Sequence, residues 1–134
     1  MANNINQFFK ENRKERKNEK FKVTKSFTDE KGEALEWELR PISNKKMTSI
    51  RRDLTGKDGK VDGQRFALAL AAAAVVDPNL NDASLQDSYG VKKPEELLQE
   101  LCYPAELDIL EAKVLDMNGY GDDLGSLIEE AKNS

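Results

Sequence analysis

The residues that could carry chemistry are few in type. The chain has 134 residues, no histidine and one cysteine, Cys102. Nucleophiles that depend on histidine are therefore excluded, as are metal sites built from histidine or from several thiolates. Paired acids such as Glu95–Glu96 stand where helices are expected to begin, and the helix dipole explains them there. We expect no catalytic residues, no cofactor-binding residues and no metal ligands, and hence a protein that is not an enzyme.

The loop over residues 57–63 has only a superficial similarity to a calcium-binding loop. If Asp58 is taken as the first position, the third position is Lys60 and the twelfth is Ala69. An EF-hand needs an acidic or amide ligand at the third position and glutamate at the twelfth. The glycine spacing also differs from that of a phosphate-binding loop. The sequence predicts a turn with solvated lysines.

Positive charge is concentrated near the N-terminus. Residues 1–25 carry a net charge of +5, residues 26–76 carry +1 and residues 77–134 carry −10. The basic cluster consists of Lys10, Arg13, Lys14, Arg16, Lys17 and Lys20. Clustered cations can bind phosphates, so one alternative function is a nucleic-acid-binding regulator, although three interspersed glutamates weaken it. The charge asymmetry also favours weak, salt-sensitive self-association.

Composition divides the chain into two parts. Residues 1–18 are predicted to form a polar, basic arm or helix, and residues 19–134 a single domain. The arm is too polar to bury enough surface for firm order on its own, but Phe8 and Phe9 could dock onto a neighbour. No apolar stretch approaches the roughly 20 residues that span a bilayer, and no signal peptide is recognisable. We therefore expect a cytoplasmic protein.

Alternating apolar residues predict a β-hairpin over residues 19–40. Its packed face should carry Phe21, Val23, Leu35, Trp37 and Leu39. A lone hairpin is only marginally stable, so this one must pack on helices or pair with another chain.

Apolar residues recur at helical spacing over residues 43–132, which predicts a series of helices. Ser43 should cap the first helix. The inner face of this helix should hold Met47, Ile50 and Leu54. The next helix, from about residue 62 to residue 76, is alanine-rich and apolar on nearly all sides, so we expect it at the centre of the fold, with Pro78 ending it.

Short helices complete the chain. Ser84 should cap a helical turn that Gly90 closes, Pro94 and Pro104 should each begin a helix, and a last helix should follow Asp122. Their apolar residues include Leu97, Leu98, Leu101, Leu107, Leu110, Val114, Met117, Leu124, Leu127 and Ile128. Core packing is the favoured interpretation, and a partner-binding stripe over Leu97, Leu101, Leu107, Leu124 and Ile128 is the alternative. Cys102 is expected to be a small buried hydrophobic residue.

The fold class predicted from these elements is mainly α, a helical bundle with an N-terminal antiparallel β-hairpin, and so α+β. Three segments also carry a family resemblance: Trp37-Glu38-Leu39-Arg40-Pro41-Ile42, then Asp77-Pro78-Asn79-Leu80 with Leu85-Gln86-Asp87-Ser88-Tyr89-Gly90, then the helices over residues 94–132.

Together these segments resemble the XkdN-like tail assembly chaperones of PBSX-type prophages and phages of Gram-positive bacteria, over roughly residues 19–132. The resemblance implies a non-catalytic protein that binds the tail tape measure protein during tail construction and is absent from the finished virion. The tail tube protein, a frameshift-extended form of the same chain and a second copy of the chain are further candidate partners.

Overall fold

A three-stranded antiparallel sheet and five α-helices make up the fold in the computed structural model, which describes residues 2–120. The strands are β1 (Glu19–Phe21), β2 (Trp37–Leu39) and β3 (Val75–Asp77). The helices are α1 (Asn44–Asp53), α2 (Gly63–Ala74), α3 (Ala83–Ser88), α4 (Pro94–Leu101) and α5 (Pro104–Met117). Two short 3₁₀ helices, Ile5–Phe8 and Lys10–Asn12, precede the sheet. The predicted α+β class, mainly helical with an N-terminal hairpin, is confirmed.

The hairpin pairs as predicted near its ends but not along its whole length. Phe21 lies opposite Trp37, whereas the next bridge towards the turn joins Thr28 to Ala34. Thr28 is seven positions after Phe21, whereas Ala34 is only three positions before Trp37, so the alternation of faces is interrupted between the two bridges. For this reason Leu35 is 44% exposed, and its predicted place on the packed face is wrong.

The other predicted residues of the packed face are less exposed than Leu35. Val23, Trp37 and Leu39 are buried and Phe21 is half-buried, as expected.

The third strand was not predicted from the sequence. Helix α2 ends at Ala74, and Val75 begins β3, which pairs antiparallel with the central strand β2. Val75 and Val76 are β-branched and favour extended backbone, and Val75 and Asp77 lie opposite Leu39 and Glu38 of β2. The prediction that the helix continues to residue 76 and ends because of Pro78 is therefore wrong.

Helix starts follow local capping chemistry. The Ser43 hydroxyl accepts a hydrogen bond from the Lys46 N–H at 3.0 Å, which confirms the predicted cap of α1. Helix α3 is capped by Asp82, not by Ser84 as predicted, because the Asp82 carboxylate accepts from the Leu85 N–H at 2.8 Å. Gly90 follows α3 with φ of +70°, the left-handed conformation expected of it.

The C-terminal helices begin where the sequence predicted. Pro94 and Pro104 stand in the first turns of α4 and α5. The helix predicted after Asp122 lies outside the described residues. None of the helices in residues 2–120 combines the length and the apolar character needed to cross a membrane.

The core forms where α2 contacts α1, α4, α5 and β3. Its fully buried large side chains are Leu39, Leu80, Leu97, Leu98, Leu110 and Val114. Leu97 and Leu101 are buried, which confirms the core interpretation for both, and Leu107 is half-buried. Leu124 and Ile128 lie outside the described residues.

Candidate binding surface

Cys102 and Glu106, two side chains of the described residues with clearly shifted pKa values, lie at the junction of α4 and α5. Burial, together with the negative charge of Glu106, raises the pKa of Cys102 to about 11, so the thiol stays protonated at neutral pH. A thiol in that state is a poor nucleophile. The Tyr103 N–H donates to Glu106 Oε1 at 2.8 Å, and this bond holds the pKa of Glu106 below its ordinary value. Burial of the thiol and hydrogen bonds to the carboxylate, first from Tyr103 and then from Thr24, explain these shifts, so they indicate a structural junction.

The loop before α2 is the turn that the sequence predicted. The Gly56 N–H donates to the Lys60 carbonyl at 2.8 Å, and Asp58 Oδ1 accepts from the Lys60 N–H at 3.0 Å. Asp62 is occupied as the cap of α2, where it accepts from two backbone N–H groups. No group of three or more potential metal ligands occurs within residues 2–120.

The base of the N-terminal arm is attached to α5. Arg16 Nη1 donates to the Met117 carbonyl at 3.0 Å, at the end of α5 where helix carbonyls lack partners. Lys113 Nζ lies 3.3 Å from Glu19 Oε1 and 5.9 Å from the centre of the Phe21 ring. A cation near a helix C-terminus is favoured by the dipole, so these contacts position the arm where it enters β1.

The tip of the arm is exposed. Asn4 and Gln7 cap its first 3₁₀ helix, and Ile5, Phe8 and Phe9 are 70%, 68% and 49% exposed. A cavity of about 710 Å³ beside the tip is lined by Phe9, Lys10, Glu11, Arg13 and Glu15. All its walls come from the arm itself, so it is an open surface and not a built site.

A second cavity, of about 310 Å³, opens on the body of the protein between α1, α2 and the start of α4. We call it the α1–α2 groove. Its floor is apolar and consists of Ile50, Leu54, Ala69, Ala72, Ala73 and Val75. Its rim is polar apart from one proline and consists of Arg40, Lys46, Asp53, Asn81, Pro94 and Glu95.

The groove exists because α2 presents small side chains on this side. Leu70, Ala71 and Ala74 are buried in the core, whereas Ala69 and Ala73, one helical turn apart, are only half-buried. Because α2 is apolar on nearly all sides, its sequence predicted burial at the centre of the fold and did not reveal the groove. The available signal was the set of small side chains at Ala69, Ala72 and Ala73 on one side of α2.

The comparisons with known proteins indicate a single family. Residues 5–132 match the model of the phage XkdN-like tail assembly chaperone proteins. The chain is 28% identical over 123 residues to the phage-like element PBSX protein XkdN of Bacillus subtilis strain 168, covering 85% of this chain and 83% of that protein. It is 27% identical over 120 residues to YqbN of the same organism, covering 83% and 80%.

A solved structure shows the same fold. The crystal structure of YqbN aligns with a TM-score of 0.80 at 18% identity, covering 90% of this chain and 100% of the YqbN chain. The family match spans nearly the whole sequence and includes the sheet, the helices and the groove between them. The chain therefore belongs to the XkdN-like family of phage tail assembly chaperones.

Proposed function

We propose that the chain binds the tail tape measure protein during tail assembly and acts without catalysis in the bacterial cytoplasm. The observation that carries this proposal is the family match over residues 5–132. The tail tube protein and a frameshift-extended form of this chain are further proposed partners.

The surface of the domain supports a binding role. A chaperone for a long, helical partner needs accessible apolar surface that can cover the apolar face of a helix. The chain offers an open apolar groove on its body and exposed Phe8 and Phe9 on its arm. Cys102 and Glu106, whose pKa values are shifted, belong to a helix junction, where burial and hydrogen bonds explain the shifts.

The test is co-expression with the tape measure protein of the same phage or prophage. We expect more soluble tape measure protein when this chain is present, and a complex that survives purification. Expression of the tape measure protein with an empty vector is the control. Equal insolubility with and without the chain, together with no recoverable complex, would overturn the proposal.

Nucleic-acid regulation through the arm is the weaker alternative. Arg16 is held at the Met117 carbonyl, and two glutamates, Glu11 and Glu15, line the same surface as Lys10 and Arg13. Phosphates approaching the arm would meet both signs of charge, which lowers the electrostatic attraction on which such binding depends.

A further inference from the structure

The α1–α2 groove has an unequal distribution of charge along its length. Lys46 and Asp53 both lie on α1, seven residues apart, which corresponds to about 10 Å along one face of the helix. Arg40 joins the Lys46 end, because its Nε donates to the Ala73 carbonyl at 3.0 Å, near the C-terminus of α2. The other end is marked by the contact of Arg51 with the Phe66 ring at 5.3 Å, where α1 ends and α2 begins. Among the lining residues, Arg40 and Lys46 therefore stand at one end and Asp53 at the other, and Glu95 stands at the start of α4.

The charged groups of the rim are available to a partner. Lys46, Asp53 and Glu95 form no ion pair with any other residue in the described range 2–120. Arg40 is exposed, and its hydrogen bond to Ala73 fixes its position without neutralising its charge.

The floor accepts large apolar side chains. Ala69 and Ala73 are short and only half-buried, and Leu54, the residue directly after α1, lines the groove with them. The groove is about two helical turns long. It can therefore take two apolar side chains of a partner helix that are three, four or seven residues apart.

A helix suits this groove better than a strand or a small polar ligand. Five of the six floor residues lie in or directly after helices α1 and α2, whose backbone groups are paired internally and offer no free ladder to an added strand. The edge strand β3 contributes only Val75. Among the described residues no buried side-chain nitrogen or oxygen lacks a hydrogen-bond partner. The groove therefore holds no orphaned polar group that a polar ligand would satisfy.

We propose that the α1–α2 groove binds an amphipathic helix of the tape measure protein, an inference that rests on the function proposed above. The bound helix lies antiparallel to α1. In that orientation its C-terminal end, which carries partial negative charge, faces Arg40 and Lys46, and its N-terminal end faces Asp53. Its large apolar side chains fill the space above Ala69 and Ala73.

The first experiment fills the groove. We expect Ala73→Leu, alone or with Ala69→Leu, to lower the amount of tape measure protein that co-purifies by at least about tenfold, because the leucine occupies the space of the partner side chain. Ala112→Leu is the matched control, since Ala112 is exposed on α5, outside the groove. It should bind within about twofold of the unsubstituted chain. Circular dichroism and thermal unfolding check that each variant is folded.

The second experiment reverses one charge and does not depend on tolerance of a larger side chain. Lys46→Glu should weaken binding by about three- to fivefold, the effect expected of an exposed charge near a helix end. Lys45→Glu makes the same change on the adjacent exposed residue of α1, which does not line the groove. It should weaken binding less. Equal effects of the two substitutions would overturn the proposed orientation.

The outcomes separate this inference from the proposed function. If Ala73→Leu is folded and binds like the unsubstituted chain, the groove inference fails while the chaperone function stands. If the unsubstituted chain forms no complex at all, the function fails as well. If Ala73→Leu lowers only the mass of the free protein in sedimentation, the groove is an interface between copies. That last result overturns the inference.

Discussion

The N-terminal arm and helix α2 both carry apolar side chains, but only those of α2 enter the core. On the arm, Ile5 and Phe8 are more than two-thirds exposed, whereas Leu70 and Ala74 of α2 are 2% and 0% exposed. The arm has a few apolar residues next to a run of charged residues. In α2, by contrast, apolar residues recur at helical spacing over twelve residues. A continuous apolar face allows burial, whereas the same residue types in a short polar segment do not.

The two regions are also held by different interactions. Hydrogen bonds and ion pairs fix the base of the arm to α5, through Arg16 at Met117 and Lys113 at Glu19. The body is held by apolar packing, in which Leu39, Leu97 and Leu110 are completely buried. Exposed polar contacts contribute little to stability and buried apolar contacts contribute much. Substitutions in the body should therefore lower the free energy of unfolding more than substitutions in the arm.

The largest effect is expected at Trp37, on the central strand β2. Its side chain is 3% exposed, so Trp37→Ala should lower the free energy of unfolding by roughly 3–5 kcal/mol through lost burial and a new cavity. Denaturant unfolding followed by circular dichroism measures this change. Leu35→Ala is the matched control in the same hairpin, and with Leu35 44% exposed it should cost less than about 1 kcal/mol. Similar losses for both variants would contradict the described register of the hairpin.

An intermediate effect is expected at Asn118, directly after α5. Its Oδ1 accepts from the Ile42 N–H at 2.6 Å, and its Nδ2 donates to the Val114 carbonyl at 2.7 Å. Asn118→Ala leaves a part-buried N–H without a partner and should cost about 1–2 kcal/mol in the free energy of unfolding.

The control for Asn118 lies on the arm. Asn18 donates to Glu38 Oε2 at 3.1 Å in an exposed position, so Asn18→Ala should cost less than about 0.5 kcal/mol. A larger loss for Asn18 than for Asn118 would reverse the comparison between the arm and the body.

Periodicity and capping chemistry predicted much of the fold. Ser43, Pro94 and Pro104 identified three helix starts, because caps and first-turn prolines act through neighbouring residues alone. The sequence did not reveal β3, since pairing of Val75 with β2 depends on residues far along the chain. The groove was missed for a similar reason: whether an alanine of α2 is covered depends on how α1 and α4 lie against it.

A smaller, pH-dependent effect is expected at Glu106. Its folded-state pKa is lowered chiefly by the hydrogen bond from the Tyr103 N–H. The ionised carboxylate therefore stabilises the fold above its ordinary pKa of 4.5, and this contribution is lost as the pH falls through the lower folded value. Glu106→Gln should be less stable than the unsubstituted chain at pH 7, and the difference should disappear in acid.

Thermal unfolding between pH 7 and pH 3 measures this difference. Glu100→Gln, which removes an exposed carboxylate of α4, tests the loss of negative charge alone. If both variants follow the same pH course relative to the unsubstituted chain, the hydrogen bond at the start of α5 does not explain the shift.

The smallest effect on stability is expected from removal of the arm tip. Residues 2–12 are exposed throughout, and the hydrogen bonds described for them connect only to one another or to Arg13. Deletion of residues 2–12 should therefore change the free energy of unfolding by less than about 0.5 kcal/mol, because no apolar contact with the body is lost. Arg16 stays in this variant, so its bond to the Met117 carbonyl is kept and the base of the arm remains attached. A loss of more than about 1 kcal/mol would mean that Phe8 and Phe9 pack on the body. Unchanged stability with weaker binding of the tape measure protein would instead make them a partner contact, as the exposure of both rings suggests.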